Sequence, residues 1–426
     1  MKSLVWAFLE RVLPRAASAV IMLGLAAFLT PEVVGLYALG ILAMTLYQAA
    51  SDTAIRQIAV SAVVTKHGRH FLRRYAWIST VAGVIFISGS LTAIFILTPS
   101  AVNSQAVLLT PLIAVPGLMA ARVGAIARIQ LASRWRALAT FQLIGTAASF
   151  VVSVPILLLT RSLLASSLQI VITELAFTLL ALNAARGIPV GKESPRDEYY
   201  PHLGREFWHL STYSVLAWFQ SQTDRLLMGP VAGSTALGLF SVANSVARSG
   251  GDAVSTSTAN VLRPELLTNR QLEPREIGER ADGVLTKAVL ISAGATVATL
   301  LGIDLVLRPI LSSQWDYALS TARIISLTII PTLFSWSMTV VLVAADRTRW
   351  AAPIKFLGIP MAVPIALVAA HSLLWAGTFV VVREVVLLVL LVASSGGAYP
   401  RRSLWMGAAL WLVMCLAVGA SLWILG

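Results

Sequence analysis

The stretch SQTDRLLMGPVAGSTALGLFSVANSVAR, residues 221–248, places Asp224, Arg225 and Arg248 in two apolar runs separated by Gly229, Pro230 and Gly233. A bilayer core of ~30 Å takes about 20 helical residues. With their flanks both runs are long enough, so the stretch predicts two membrane helices, near 208–229 and 236–262. The Gly and Pro residues between them form the short outer turn of a hairpin. A charge at the bilayer centre costs about 2.5–3.5 kcal/mol on insertion scales, so charged residues in such helices face a bundle interior or a water-filled cavity.

The rest of the chain is of the same kind. Its 426 residues are 57% hydrophobic and 12% charged, with a mean hydropathy of +0.81. Soluble domains are only about 45–50% apolar. The composition therefore defines an integral membrane protein with room for about a dozen spans. The apolar runs lack the alternation of outer-membrane barrel strands, so helices are the spanning element and the fold class is all-α. Apolar blocks between charged or Pro/Gly-rich breaks predict helices near 11–30, 36–63, 75–97, 105–127, 137–160 and 163–185. A second set follows near 208–229, 236–262, 284–307, 321–345, 351–371 and 374–395, with a thirteenth at 403–425. The N-terminal run is broken by Arg11 and Arg15 and reads as a retained first helix, not a cleaved leader.

A formal charge of +13 in a soluble protein would suggest nucleic acid. Here topology accounts for it. With the N-terminus cytoplasmic, 24 of the 32 basic residues fall on inside segments and only Arg161 and Arg308 on outside loops, as the positive-inside rule requires. The other six, Arg56, Arg122, Arg225, Arg248, Arg323 and Arg383, lie within spans or at their ends.

Familiar chemistry is missing. Cys415 stands alone, so no disulfide or CxxC pair exists within the chain. His67 and His70 share a helix face but sit in a basic loop without Cys or carboxylate partners, so no metal site is expected. GIPVGKES, residues 187–194, has three residues between its glycines and Glu193 after Lys192, so it is no phosphate-binding loop. No GxSxG or HExxH occurs in an aqueous loop. Transport fits better than catalysis, and no cofactor is expected.

Residues 29–52, LTPEVVGLYALGILAMTLYQAASD, resemble residues 232–252, AGSTALGLFSVANSVARSGGD, with Gly35-Leu36-Tyr37 matching Gly238-Leu239-Phe240. Both halves begin on the cytoplasmic side, which makes this a parallel pseudo-two-fold repeat about the membrane normal. The expected organisation is an N-terminal six-helix lobe over 1–185, a cytoplasmic linker over 186–207 broken by three prolines, a C-terminal six-helix lobe over 208–395, and an additional helix over 396–426.

At 100° per residue, Ser211, Ser214, Ser221, Gln222 and Arg225 share one face of the seventh helix. Ser241, Asn244, Ser245, Arg248, Asp252 and Ser255 do so on the eighth, Thr45, Gln48, Asp52 and Arg56 on the second, and Arg11, Arg15 and Ser18 on the first. These are the first two helices of each half, and a parallel two-lobed bundle would gather them around one central cavity with a small excess of positive charge. Asp52 with Arg56, and Arg248 with Asp252, are also i,i+4 pairs suited to internal ion pairing with no substrate role. Asp224 lies off the main stripe. Arg122 reads as a helix-end snorkelling arginine. Glu174 and the adjacent Arg383 and Glu384 fit proton or ion sites, structural pairs or lipid-interface positions.

The residues QTDRLLMGPVAGSTALGLFSVANSVAR, the following VLRPEL, and the stretch from Leu29 to Val60 resemble the polysaccharide-transporter branch of the MOP flippase superfamily. Asp224, Arg225, Gly229, Leu237, Gly238, Phe240, Ser241, Ala243 and Pro264 supply the matching positions. The resemblance implies two lobes, alternating access, and a bacterial-type cytoplasmic membrane. It also implies flipping of polyprenyl-pyrophosphate-linked oligosaccharides from the cytoplasmic to the outer leaflet, for surface polysaccharide or lipopolysaccharide (O-antigen) assembly. The implied partners are that lipid-linked oligosaccharide, the bilayer, a polysaccharide polymerase and glycosyltransferases, with no nucleic acid. Many relatives have twelve or fourteen spans, where thirteen are counted here. For such a substrate Arg56, Arg225, Arg248 and Arg15 suit phosphate, and Gln48, Gln222, Asn244 and Trp218 suit sugar hydroxyls and ring faces. Asp52, Asp224 and Asp252 are candidates for ion coupling. A multidrug antiporter of the same superfamily is the first alternative and a polysaccharide polymerase or ligase the second. The basic excess disfavours the former, and the short outer loops, the longest near 308–320, disfavour the latter.

Overall fold

A computed structural model describes residues 19–64, 66–97, 103–188, 203–267 and 273–425. Among these residues there are helices and turns and no strand. The helices are α1 (Ala19–Phe28), α2 (Pro31–Ala50), α3 (Asp52–Ala62), α4 (Lys66–Leu97), α5 (Asn103–Val107), α6 (Val115–Leu131), α7 (Trp135–Thr160), α8 (Leu164–Arg186) and α9 (Leu203–Leu267). They continue with α10 (Pro274–Gly302), α11 (Arg308–Ile310), α12 (Asp316–Ser326), α13 (Ile329–Ala344), α14 (Thr348–Phe356), α15 (Ala362–Ala369), α16 (Leu373–Ser394) and α17 (Arg401–Leu425).

By length and composition, nine helices of the described residues can cross a membrane, or ten if α12 and α13, bent by 44°, form one span. The expected thirteen are not all counted among the described residues, for local reasons. The turn expected over Gly229, Pro230 and Gly233 narrows to its last residue: helix runs through Gly229 and Pro230, and α9 is two helices meeting at Gly233, whose φ of 87° suits a residue without Cβ. The expected span 351–371 is divided between α14 and α15, with turns at 357–361 around Gly358 and Pro360. Pro360 cannot donate a backbone hydrogen bond there. The first predicted helix is seen only from Ala19, and Arg11, Arg15 and Ser18 lie outside the described residues, as does most of the 186–207 linker.

The chain forms two compact units. Of the described residues, those within 19–29 and 36–219 form one, and those within 30–35 and 220–425 the other. In the first unit, small and polar residues of α7 face α8: Ser149 is buried while Val151 and Leu159 are 74% and 84% exposed. This inversion of the soluble pattern is what lipid demands, because outward leucine and valine meet hydrocarbon and inward hydroxyls must find partners. They do: Thr173 Oγ1 donates to Ser149 Oγ at 2.9 Å and Gln169 Nε2 donates to Thr173 Oγ1 at 3.2 Å. Gly145 permits the approach, since a Cβ there would stand 2.9 Å from the Thr173 carbonyl oxygen.

The second unit has a core from α10, α13, α16 and α17 that includes Leu285, Val289, Leu333, Met338, Leu387, Leu391 and Met414. Helix α17 is part of this body. The Asp282 carboxylate on α10 accepts from the backbone N–H of Ser403 at 2.8 Å, that of Arg402 at 3.2 Å and the Ser403 hydroxyl at 2.7 Å, satisfying free donors at the start of α17. The beginning of α2 also belongs here. A Cβ on Gly35 would collide with the Ser234 carbonyl oxygen, and one on Gly238 with that of Pro31. Pro31 and Gly35 thus cross Ser234 and Gly238 backbone to backbone, a reciprocal small-residue contact. The repeated Gly-Leu-aromatic motif marks the two sides of one crossing.

Candidate functional site

The second unit concentrates charge on α9 and α16. Arg383, only 2% exposed, donates to Asp224 Oδ2 at 3.4 Å and to Glu384 Oε1 at 3.1 Å. Both acids are buried as well. The other Asp224 oxygen accepts the backbone N–H of Arg225 at 2.8 Å. One helical stretch further on, Arg248 Nε stands 3.6 Å from Asp252 Oδ1, the i,i+4 pair anticipated from the sequence. The Arg225 guanidinium differs from these: among the described residues no carboxylate lies within ion-pair distance of it. Asp224, Asp252, Arg248 and Arg383 are nonetheless all close enough to act on it electrostatically. Lys355 on α14 sits over the Trp336 ring at 5.9 Å, within electrostatic reach of Glu384 and Arg263. The basic groups Arg225, Arg248, Arg383 and Lys355 outnumber Asp224, Asp252 and Glu384 by one, so the cluster carries a small excess of positive charge.

Gln222 and Asn244 are half-buried on the two parts of α9, before and after Gly233, with Gln222 Nε2 donating to Ser221 Oγ at 3.4 Å. The remaining predicted residues are in the first unit. Arg56 Nε and Asp52 Oδ2 are paired at 2.7 Å. Gln48 Nε2 reaches the Met119 sulfur at 3.7 Å. Trp218 is 7% exposed; its indole N–H donates to Thr45 Oγ1 at 3.0 Å and its ring meets Phe219 edge-on at 5.2 Å. It is a packed residue in this structure, with no ring face presented. Arg15 lies outside the described residues.

The first unit also contains polar groups that sequence reasoning did not connect. Arg122 is no snorkelling residue: it is buried, ion-paired with Glu174 of α8, and its guanidinium lies 4.7 Å over the Phe177 ring. Arg122 lies midway along α6, which continues to Leu131, and faces α8 there; the Glu174, Phe177 spacing of one turn is the signal that could have found the pair. A hydroxyl chain joins Tyr47, Ser79 and Tyr75, with Tyr47 and Ser79 2.7 Å apart and Ser79 and Tyr75 3.3 Å apart. In the second unit Arg323 pairs with Asp304 beside the π-helical turn Ile303–Leu307. No group of three His, Cys, Asp or Glu able to hold a metal ion occurs among the described residues.

Long apolar helices, inward hydroxyls and buried ion pairs define a multi-pass membrane protein. Solved structures share this fold along nearly the whole chain. An inward-facing multidrug resistance MATE family transporter of the MOP superfamily matches with a TM-score of 0.64 at 14% identity, over 94% of this chain and 95% of that one. The lipid II flippase MurJ in an inward closed conformation matches with a TM-score of 0.66 at 10% identity, over 98% and 91%. A MOP superfamily transporter from Pyrococcus furiosus gives 0.61 at 13% identity, over 96% of each. A search of curated protein sequences gave no match. The model of a family described as "Polysaccharide biosynthesis protein" matches residues 24–320, and the chain belongs to that family.

Proposed function

We propose that the protein is a flippase that moves polyprenyl-pyrophosphate-linked oligosaccharide from the cytoplasmic to the outer leaflet by alternating access, for surface polysaccharide assembly. The observation that supports this most is Arg225: a guanidinium with no ion-pair partner among the described residues, in a cluster whose other arginines are engaged. Arginine binds phosphate oxygens through two parallel donors, which suits a pyrophosphate better than lysine would. The family description and the lipid flippase of the same fold agree with this reading. Arg248 supplies a second phosphate contact when it exchanges Asp252 for the headgroup, and Gln222 and Asn244 offer amides to sugar hydroxyls. Arg56 has the equivalent role in the first unit, again by exchange of its aspartate partner.

A driving force is available without nucleotide hydrolysis. With the cytoplasm negative, outward movement of each negative charge gains about 2.3 kcal/mol per 100 mV. The reading places the protein in a cytoplasmic membrane with its N-terminus inside, alongside the polymerase and glycosyltransferases that use or make its substrate.

The test is export of surface glycan in cells carrying Arg225→Ala, Arg248→Ala and Arg56→Ala, each checked for membrane abundance. Loss of export at wild-type abundance is expected for Arg225→Ala and for the Arg225→Ala/Arg248→Ala pair. Undiminished export in all of them would overturn the site assignment.

A further inference from the structure

We propose that Arg383 is a positioning residue that keeps Asp224 and Glu384 from cancelling the positive charge of Arg225 and Arg248. The inference rests on the anionic-headgroup reading above, and deepens it by naming what keeps the site cationic. Arg383 is itself too buried to present its guanidinium to a ligand, being 2% exposed, and it holds one oxygen of each acid. The second Asp224 oxygen is occupied by the backbone N–H of Arg225, so this carboxylate is held at both ends.

The two acids have other cations to turn to. Asp224, Glu384 and Asp252 all lie within electrostatic reach of Arg248, and Asp224 and Asp252 within reach of Arg225. A buried carboxylate left without its partner is strongly unfavourable, and swinging a long arginine side chain toward it is the cheapest relief. Without Arg383, the acids would draw in Arg248 and Arg225, and a pyrophosphate would have to compete with two internal carboxylates. The resting arrangement avoids this competition by giving both acids to one inaccessible guanidinium. Sequence order hides the device, because Asp224 and Arg383 are 159 positions apart.

The experiment measures binding of farnesyl pyrophosphate, a short polyprenyl pyrophosphate, to the full-length protein in lipid nanodiscs. Wild type binds if the flippase reading holds; no binding by folded wild type would overturn that reading and this inference with it. Arg383→Gln is expected to weaken binding by about tenfold or more, and Arg383→Gln/Asp224→Asn/Glu384→Gln to return to within about threefold of wild type. Asp224→Asn/Glu384→Gln with Arg383 intact is expected to bind at least as tightly as wild type, and weaker binding would overturn the inference. Wild-type affinity in Arg383→Gln would overturn the positioning role while leaving the flippase reading in place. Where Arg383→Gln does not fold, the triple variant decides: recovered binding supports the inference, and absent binding overturns it.

Discussion

Arg225 and Arg122 show two fates of an intramembrane arginine. Arg225 is half-buried with no carboxylate at ion-pair distance among the described residues, whereas Arg122 is sealed against Glu174 and Phe177. A charge-assisted hydrogen bond contributes about 1.5–3 kcal/mol, so Arg225→Ala should lower affinity for a pyrophosphate lipid by about tenfold or more while leaving the melting temperature nearly unchanged. Glu174→Gln should do the reverse. It leaves Arg122 buried without a counter-charge, which costs about 3–5 kcal/mol, readable as a large drop in melting temperature in detergent, and Arg122→Met/Glu174→Leu should recover most of it. At this scale the sequence was half readable. Helical periodicity identified Arg56, Arg225 and Arg248 and the i,i+4 pairing of two of them, because those relations are local. It could not identify the partners of Asp224 or Arg122, which are brought in by other helices. It also offered Trp218 for sugar stacking, where the indole is spent on Thr45.

Several helices of this protein meet closely through glycine and hydroxyl residues. The crossing of Pro31 and Gly35 with Ser234 and Gly238 is the clearest case. Overpacking of a close contact costs about 1–3 kcal/mol, and a Cβ driven into a carbonyl oxygen lies at the upper end of that range. Gly35→Ala and Gly238→Ala should each lower thermal stability clearly, whereas Gly294→Ala on α10, where a Cβ meets nothing within 4 Å, should be neutral or raise it slightly. Differential scanning fluorimetry in one detergent compares the three directly. Asp282→Ala removes three hydrogen bonds that hold the start of α17, and should raise hydrogen exchange at Arg402 and Ser403 before it affects α10. The existence and order of the long helices could be read from hydropathy, since a run of twenty apolar residues has few alternatives. Their interruptions could be read only in part. The break at Gly233 falls within the turn expected over Gly229, Pro230 and Gly233, although helix continues through the first two, while 351–371 looks continuous and is broken, because burial among neighbours decides which backbone groups may go unpaired.

Across the whole molecule, a polar group recurs in each of the two units, Asp52 with Arg56 in one and the Arg225, Arg248, Arg383 cluster in the other. The sequence resemblance between the two halves rests on two glycine motifs, which meet at one crossing in the structure. The chemistry was visible only as an excess of positive charge; the proposed substrate class rests on Arg225, which has no carboxylate at ion-pair distance among the described residues. The central claim is that this protein carries a pyrophosphate-linked glycolipid across a membrane. The direct measurement is leaflet transfer of a fluorescent polyprenyl-pyrophosphate oligosaccharide in vesicles containing purified protein, read by quenching from outside. The account predicts transfer well above protein-free vesicles, faster with a potential that draws anions toward the receiving leaflet, and lost in Arg225→Ala/Arg248→Ala. Transfer by wild type no faster than in empty vesicles, under either sign of potential, would contradict it.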